Sequence, residues 1–323
     1  MKFKKILLIW VVSFFILSIT TTVNADDDIR IMCTNSVLSD FTSNLLKGNN
    51  TNITYIMPAG VCPAYYDITI DDIEKITNAD VLISFGNPMM EPWLANLLDH
   101  NPDCEIIECK NLGEWNIPTG AKKYVNHISE GLIEIFPEKN STIQKNMEEY
   151  LEQINRTAEN LKQKIIDNNT LNTKVVAMSW QRDFLEYLGL NVTYSYGSPQ
   201  GLSTKDELEI INAASDEYVA TIVDNLQSGT DLGARIASET GKSHVIFTNF
   251  PDAIPGTDTY IKMINYNTEQ LIKAIQTYEY KKGEIQDLEK EIQNLELQRN
   301  ISISVAVIFL IFLFVFYVFY KRK

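Results

Sequence analysis

The chain has 323 residues and a formal net charge of −14, from 42 Asp and Glu against 28 Lys and Arg. Such a chain lacks the basic footprint that nucleic acid requires, so nucleic acid is excluded as a partner. The charge is compatible with plain solubility and with a cationic ligand, because an acidic field concentrates cations.

At the N-terminus, Lys2, Lys4 and Lys5 precede an apolar run over 6–19. Val23-Asn24-Ala25 then stands ahead of Asp26-Asp27-Asp28. That order describes a secretory signal peptide over 1–25, with an uncleaved anchor helix as the other structure the pattern allows. Either one exports the chain. Sequons at Asn49, Asn52, Asn140, Asn155, Asn168, Asn191 and Asn300 are then candidate glycan sites.

From residue 26 to 137 short apolar runs alternate with helical spacing. Strands are expected at 29–33, 52–57, 81–85 and 105–109, and helices at 37–46, 70–77 and 91–98. Residues 138–168 carry apolar side chains at Ile143, Met147, Tyr150, Leu151, Ile154, Ala158, Leu161 and Ile165. This three-four spacing predicts one long amphipathic helix, with Pro137 near its start. The α/β rhythm resumes over 169–277, with strands at 174–178, 191–194, 218–223 and 244–247. Helices are expected there at 182–188, 208–214, 232–239 and 258–277. Strands alternating with helices predict parallel sheets covered by helices. The expected fold is α/β, with two lobes, each a mostly parallel sheet flanked by helices, joined by one long bridging helix.

Beyond residue 278 the character changes. Ile285, Leu288, Ile292 and Leu295 follow three-four-three spacing in a charged background, which predicts a helical stalk over 278–300. Under three heptads is too short to define a coiled coil, so self-association of the stalk stays open. Residues 301–320 hold no charge and end at Lys321-Arg322-Lys323. Twenty helical residues cover about 30 Å, enough for one transmembrane helix with a cytoplasmic tail at 321–323. The expected topology is a single-pass membrane protein with most of the chain extracellular.

Four cysteines, Cys33, Cys62, Cys104 and Cys109, form no CxxC. Export would permit disulfides, with three full connectivities open. No Ser-His-Asp pattern, phosphate loop or HExxH is present, so no enzyme is expected.

The segment Pro58-Ala-Gly-Val-Cys-Pro-Ala-Tyr-Tyr66 resembles the loop Pro-x-Gly-x-Asp-Pro-His-x-Tyr, which carries the first metal ligand in zinc- and manganese-type ABC importer binding proteins. Other segments resemble the same family in the same order: 33–40, 78–86 with Glu91-Pro-Trp-Leu94, 175–179, 236–241 and 260–267. The resemblance covers about residues 30 to 275. It implies a divalent metal ion, zinc or manganese, captured between the lobes as transported ligand. It also implies an ABC permease and ATPase as partners, with the C-terminal helix standing in for a lipid tether.

Carried over residue by residue, the four ligand positions of that family fall on neutral or uncertain groups. The first falls on Ala64 or Tyr65, the second on Gly113 or Glu114 before Trp115, the third on Ser179 and the fourth on Asn249. Transition metals prefer imidazole, thiolate or carboxylate. His100, His127 and His244 lie elsewhere in the sequence. A replacement shell can be drawn from Cys62, Glu114, Asp224 and Asp252. Cys62 as a disulfide partner or a small buried residue is the alternative. A cleft built for a metal complex or a polar organic molecule would instead use Tyr65, Tyr66, Trp115, Ser179, Trp180, Gln181, Asn225, Gln227 and Asn249. Asp224 and Asn225 are expected to face the cleft because they follow a strand and precede a helix. A surface adhesion or scaffold protein that kept the fold and lost transport is the alternative function.

Overall fold

The computed structural model describes residues 29–322, so the signal-peptide expectation for 1–25 lies outside the described residues. Two four-stranded sheets, both wholly parallel, form the two lobes. The first has the order β2-β1-β3-β4, from Thr51–Tyr55, Ile29–Cys33, Val81–Ser84 and Glu105–Glu108. The second has the order β6-β5-β7-β8, from Asn191–Tyr196, Lys174–Met178, Val219–Asn225 and Ser243–Phe247. Central strands read as continuous apolar runs because helices cover both of their faces. β3 and β7 fit that rule, with every residue buried.

In the first lobe, α1 (Ser36–Leu45) follows β1, capped by the Asn35 side chain, which accepts from Leu38 N–H. α2 (Ile70–Thr77) starts on a reciprocal capping box between Thr69 and Asp72. The helix expected over 91–98 is limited to α3 (Leu94–Leu98). Glu91 is instead 3 % exposed, and its carboxylate accepts from the backbone N–H groups of Phe85 and Gly86. It serves the loop after β3, and Pro92 follows it.

One helix absent from the expected order is α4 (Pro118–Ile135), 18 residues long. Its buried Ala121, Tyr124, Val125, Ile128 and Leu132 do follow helical spacing. Proline at its first position suits a helix start, whereas two internal glycines weaken the helical signal in the sequence. Gly131 is required: a Cβ there would stand 2.9 Å from the Ile107 side chain.

The bridging helix α5 (Asn140–Asp167) runs 28 residues, about 42 Å, after a short 3₁₀ turn at Pro137–Lys139. Its buried stripe is Ile143, Tyr150, Ile154, Thr157, Leu161 and Ile165. One apolar core runs from Ile31 and Phe41 through this stripe to Val175, Phe184 and Phe247. In the second lobe α6 (Ser179–Leu188) and α8 (Asp231–Thr240) end on left-handed Gly189 and Gly241, and α7 (Thr204–Ala214) opens on a Ser203–Asp206 capping box.

The separate closing helix, stalk and apolar span of the sequence form one helix. α9 (Tyr260–Lys321) continues for 62 residues, about 93 Å. Its first turns pack on both the second sheet and α5, where Lys164 pairs with Glu269 at 2.6 Å. From Glu284 onward every described residue of it is exposed.

Candidate functional site

The cleft between the lobes is built first from the loop that follows β2. Trp93 Nε1–H donates to Pro63 O at 3.0 Å, and the Tyr66 hydroxyl donates to Asp72 at 2.5 Å. These bonds tie the 3₁₀ turn Pro63–Tyr65 to α3 and to the capping box of α2. Ala64 and Tyr65 are left outward, with Tyr65 67 % exposed, and Cys62 is half-buried with a free thiol. All four thiols are free. Burial pushes the Cys33 thiol up to about 12, so it stays protonated.

Across the cleft the lobes meet through a seam of neutral groups. Trp115 Nε1–H donates to Asn249 O at 2.8 Å, and Asn116 Nδ2–H donates to Trp180 O at 2.9 Å. Gln227 Nε2–H donates to Ala59 O at 2.8 Å, and Ser36 Oγ–H donates to Pro251 O at 2.7 Å. The Trp115 ring stacks on Phe85, with centroids 4.4 Å apart, and on Phe250 at 5.6 Å, and the two phenylalanines lie 6.5 Å from each other, so the three rings form one cluster. A single carboxylate joins this set. Asp252, held at φ +68°, accepts from the Tyr55 hydroxyl at 2.8 Å. Burial, then the Asp252 carboxylate, push the Tyr55 phenol up to about 12, so it remains a donor at neutral pH.

Behind the seam, Gln181 is fully buried and its Nε2–H donates to Asn249 Oδ1 at 3.0 Å. Asn225 accepts from Ser228 N–H and caps a 3₁₀ turn, while its amide donates to Gln227. The sequence expectation therefore brings Trp115, Gln181, Asn225 and Asn249 to one place, with Trp180 contributing its backbone. Ser179 turns away, with its hydroxyl donating to Tyr196 O at 3.0 Å. Asn116, Phe85 and Phe250 were not expected. Their signal in the sequence is only an aromatic residue just after a strand, for Phe85 and Phe250, or a polar residue just before a helix, for Asn116. Gln181 Oε1 and Asn116 Oδ1 are buried acceptors without a protein partner among the described residues. Each is an unmet hydrogen-bond capacity at the seam.

The four-member metal shell is corrected by the structure. Among the described residues no three His, Cys, Asp or Glu side chains come close enough to share an ion. Asp224 does not face the cleft. It lies inside β7, wholly buried, and accepts from the Tyr196 hydroxyl while pairing with His244 Nε2 at 2.8 Å. Gly233 of α8 closes over it. The strand simply runs two residues further than the sequence suggested, and its pleat turns Asp224 inward. Asp252 is engaged by Tyr55, and Cys62 sits on the opposite loop. Glu114 is exposed at the rim, where desolvation and then the charge of Asp183 raise its carboxyl above the usual range.

Two parallel α/β lobes, a long helix between them and a polar cleft define the class of bilobal extracytoplasmic binding proteins. Residues 31–274 match the family described as zinc-uptake complex component A, periplasmic, and the chain belongs to that family. It is 23 % identical to the manganese-binding lipoprotein MntA of Halalkalibacterium halodurans, over 79 % of this chain and 91 % of that one. It is 25 % identical to the iron ABC transporter substrate-binding lipoprotein MtsA of Streptococcus pyogenes serotype M1, over 77 % and 89 %. A crystal structure of ZnuA superposes with a TM-score of 0.66 at 16 % identity, covering 77 % of this chain and all of that one. A cadmium-bound periplasmic metal-binding protein from Candidatus Liberibacter asiaticus gives a TM-score of 0.65 at 19 % identity, over 77 % and 100 %. These structures share the fold. The adhesion alternative gains no support from these relatives.

Proposed function

We propose that this chain is the solute-binding component of an ABC importer, holding a divalent metal as a complex between its lobes outside the membrane. The observation that carries it is the family match over residues 31–274, which spans both lobes and the bridging helix. Relatives named for manganese and for iron transport support a metal as cargo. The donor set at the seam favours a complexed metal over a bare ion. Its indole, amide and phenol donors are paired within the protein, and the groups it leaves unpartnered are the Gln181 Oε1 and Asn116 Oδ1 acceptors, which suit hydrogen bonding to donors on a metal's own ligands better than direct coordination. The protein acts by binding and presentation, with an ABC permease and ATPase as its partners. Residues 301–320, exposed and without a charge, would fix it to the membrane. The exposed sequons at Asn52 and Asn191 lie on the edge strands β2 and β6, where a glycan would also shield an open sheet edge.

The test is a thermal-shift and metal-content measurement on the purified full chain, with Zn²⁺, Mn²⁺ and Fe²⁺ as simple salts and as citrate complexes. Stabilisation by the complexes, reduced in Asn249→Ala and Gln181→Ala, is expected. A stoichiometric ion that survives chelator with salts alone would restore the bare-ion version. No shift with either form would remove metal as the cargo.

A further inference from the structure

The exposed stripe on α9 has a charge pattern that selects its partner. Ile285, Leu288, Ile292 and Leu295 are 56–59 % exposed and repeat as positions a, d, a and d of two heptads. Ile at a with Leu at d is the choice that favours two parallel strands. Of the flanking e and g positions, Glu284, Glu289, Glu291 and Glu296 are acidic and the last, Gln298, is neutral. In a pair of identical stalks, parallel or antiparallel, glutamates would therefore face glutamates along both rims, which is destabilising. Lys281 at the preceding d position and Arg299 at the following a position end the apolar seam. The remaining cation within it, Lys290, lies on the outer face and pairs with Asp287 at 3.1 Å. No described part of this chain covers the stripe, because every residue from Glu284 onward is exposed.

We propose that the stalk docks a helix of a different protein, one with its own Ile/Leu seam flanked by Lys or Arg. The stalk's four glutamates would then pair with basic e and g positions, and the same glutamates would disfavour a second copy of this chain. This negative selection is how coiled coils choose partners. Two heptads are a short contact of about 21 Å, too little for tight binding in free solution. A partner held in the same membrane raises the effective concentration enough to offset this. That last step rests on the membrane anchoring proposed above, whereas the charge selectivity does not.

The experiment uses the full chain in detergent and two fluorescent helical peptides with Ile at a and Leu at d. One carries Lys at every e and g position, the other Glu. The Lys peptide is expected to bind about tenfold more tightly than the Glu peptide, with the gap closing as salt rises. The variant with Glu284, Glu289, Glu291 and Glu296 all changed to Lys is expected to reverse the preference. Ile292→Asp, on an exposed position that the fold does not need, should abolish binding of the Lys peptide. Retained binding in that variant would reduce the effect to attraction by a net-acidic protein and overturn the proposal. Equal binding of the two peptides would overturn it as well. A Leu288→Cys chain that cross-links to itself as the dominant species would assign the stripe to a second copy instead. None of these readouts depends on metal, so failure here is separable from failure of the transport function.

Discussion

Asp40 on α1 is turned inward, accepting from the Tyr150 hydroxyl at 2.7 Å and from Tyr260 N–H at 3.1 Å. Burial pushes its carboxyl up to about 6 from an ordinary 3.8, outweighing those two bonds. The folded protein thus holds this proton more tightly than the unfolded chain does. The contribution is fully present below about pH 4 and is lost as pH rises through about 6. It amounts to about 2–3 kcal/mol. Asp40→Asn keeps an acceptor for both donors and removes the ionisation. Its urea midpoint is expected to change less than the parent's between pH 4 and pH 7. Trp115 is the second residue with a defined cost. Trp115→Ala would delete the ring that stacks on Phe85 and Phe250 and the bond to Asn249 O. Losses for such truncations are about 3–5 kcal/mol, so urea unfolding should show a drop of that order. Neither cost is written in the sequence, where Asp40 reads as one more surface acid and Trp115 as a marker beside an uncertain ligand position.

At the scale of elements, the second lobe depends on how closely α8 approaches β7. A Cβ on Gly233 would lie 2.1 Å from Asp224 Oδ2, inside the pair that Asp224 makes with His244 and Tyr196. Asp224 has no free direction to yield. Gly233→Ala is therefore expected to destabilise the fold by about 1–3 kcal/mol, read as a lower denaturation midpoint. Gly241→Ala, at a helix end with open space around it, tests backbone strain alone at φ +67° and should cost less. Strand and helix positions were largely legible from periodicity, and α2 over Ile70–Thr77 matches its expected span. The failures have local causes. Internal glycines weakened the signal of α4, and a buried carboxylate serving a loop shortened α3. His244 looked like an isolated strand-end residue because its partner lies 20 residues away on a neighbouring strand.

At the scale of the whole molecule, α9 joins the second lobe, the stalk and the apolar span in one continuous helix. The lobes therefore have a defined stand-off from whatever surface receives residues 301–320, about 35 Å from Tyr278 to Ile301. A chain ending before Ile301 should leave the membrane fraction on carbonate extraction, whereas the full chain should stay. Retention of the shortened chain would show that another anchor holds it. The lobes themselves are restrained, because one apolar core passes through α5 from sheet to sheet. Their relative motion must then be small, or must break the Trp115 stack and the bonds around Asn249 together.

The sequence by itself determined the two parallel sheets, the long bridging helix and the apolar C-terminal segment. Each strand and helix is specified by periodicity within some thirty residues of chain, and the repeated alternation of the two specifies the parallel sheets. It also named Trp115, Gln181, Asn225 and Asn249, which meet where the lobes touch. Only the tertiary structure decided what the cleft contains. Its bonds join residues as far apart as Ser36 and Pro251 or Tyr55 and Asp252, and no local pattern reports such pairs. A carboxylate in the sequence is only a charge until burial and partners are known. Those partners made Asp224 a buried anchor for His244 and Asp252 an acceptor for Tyr55, and they left the seam to neutral groups.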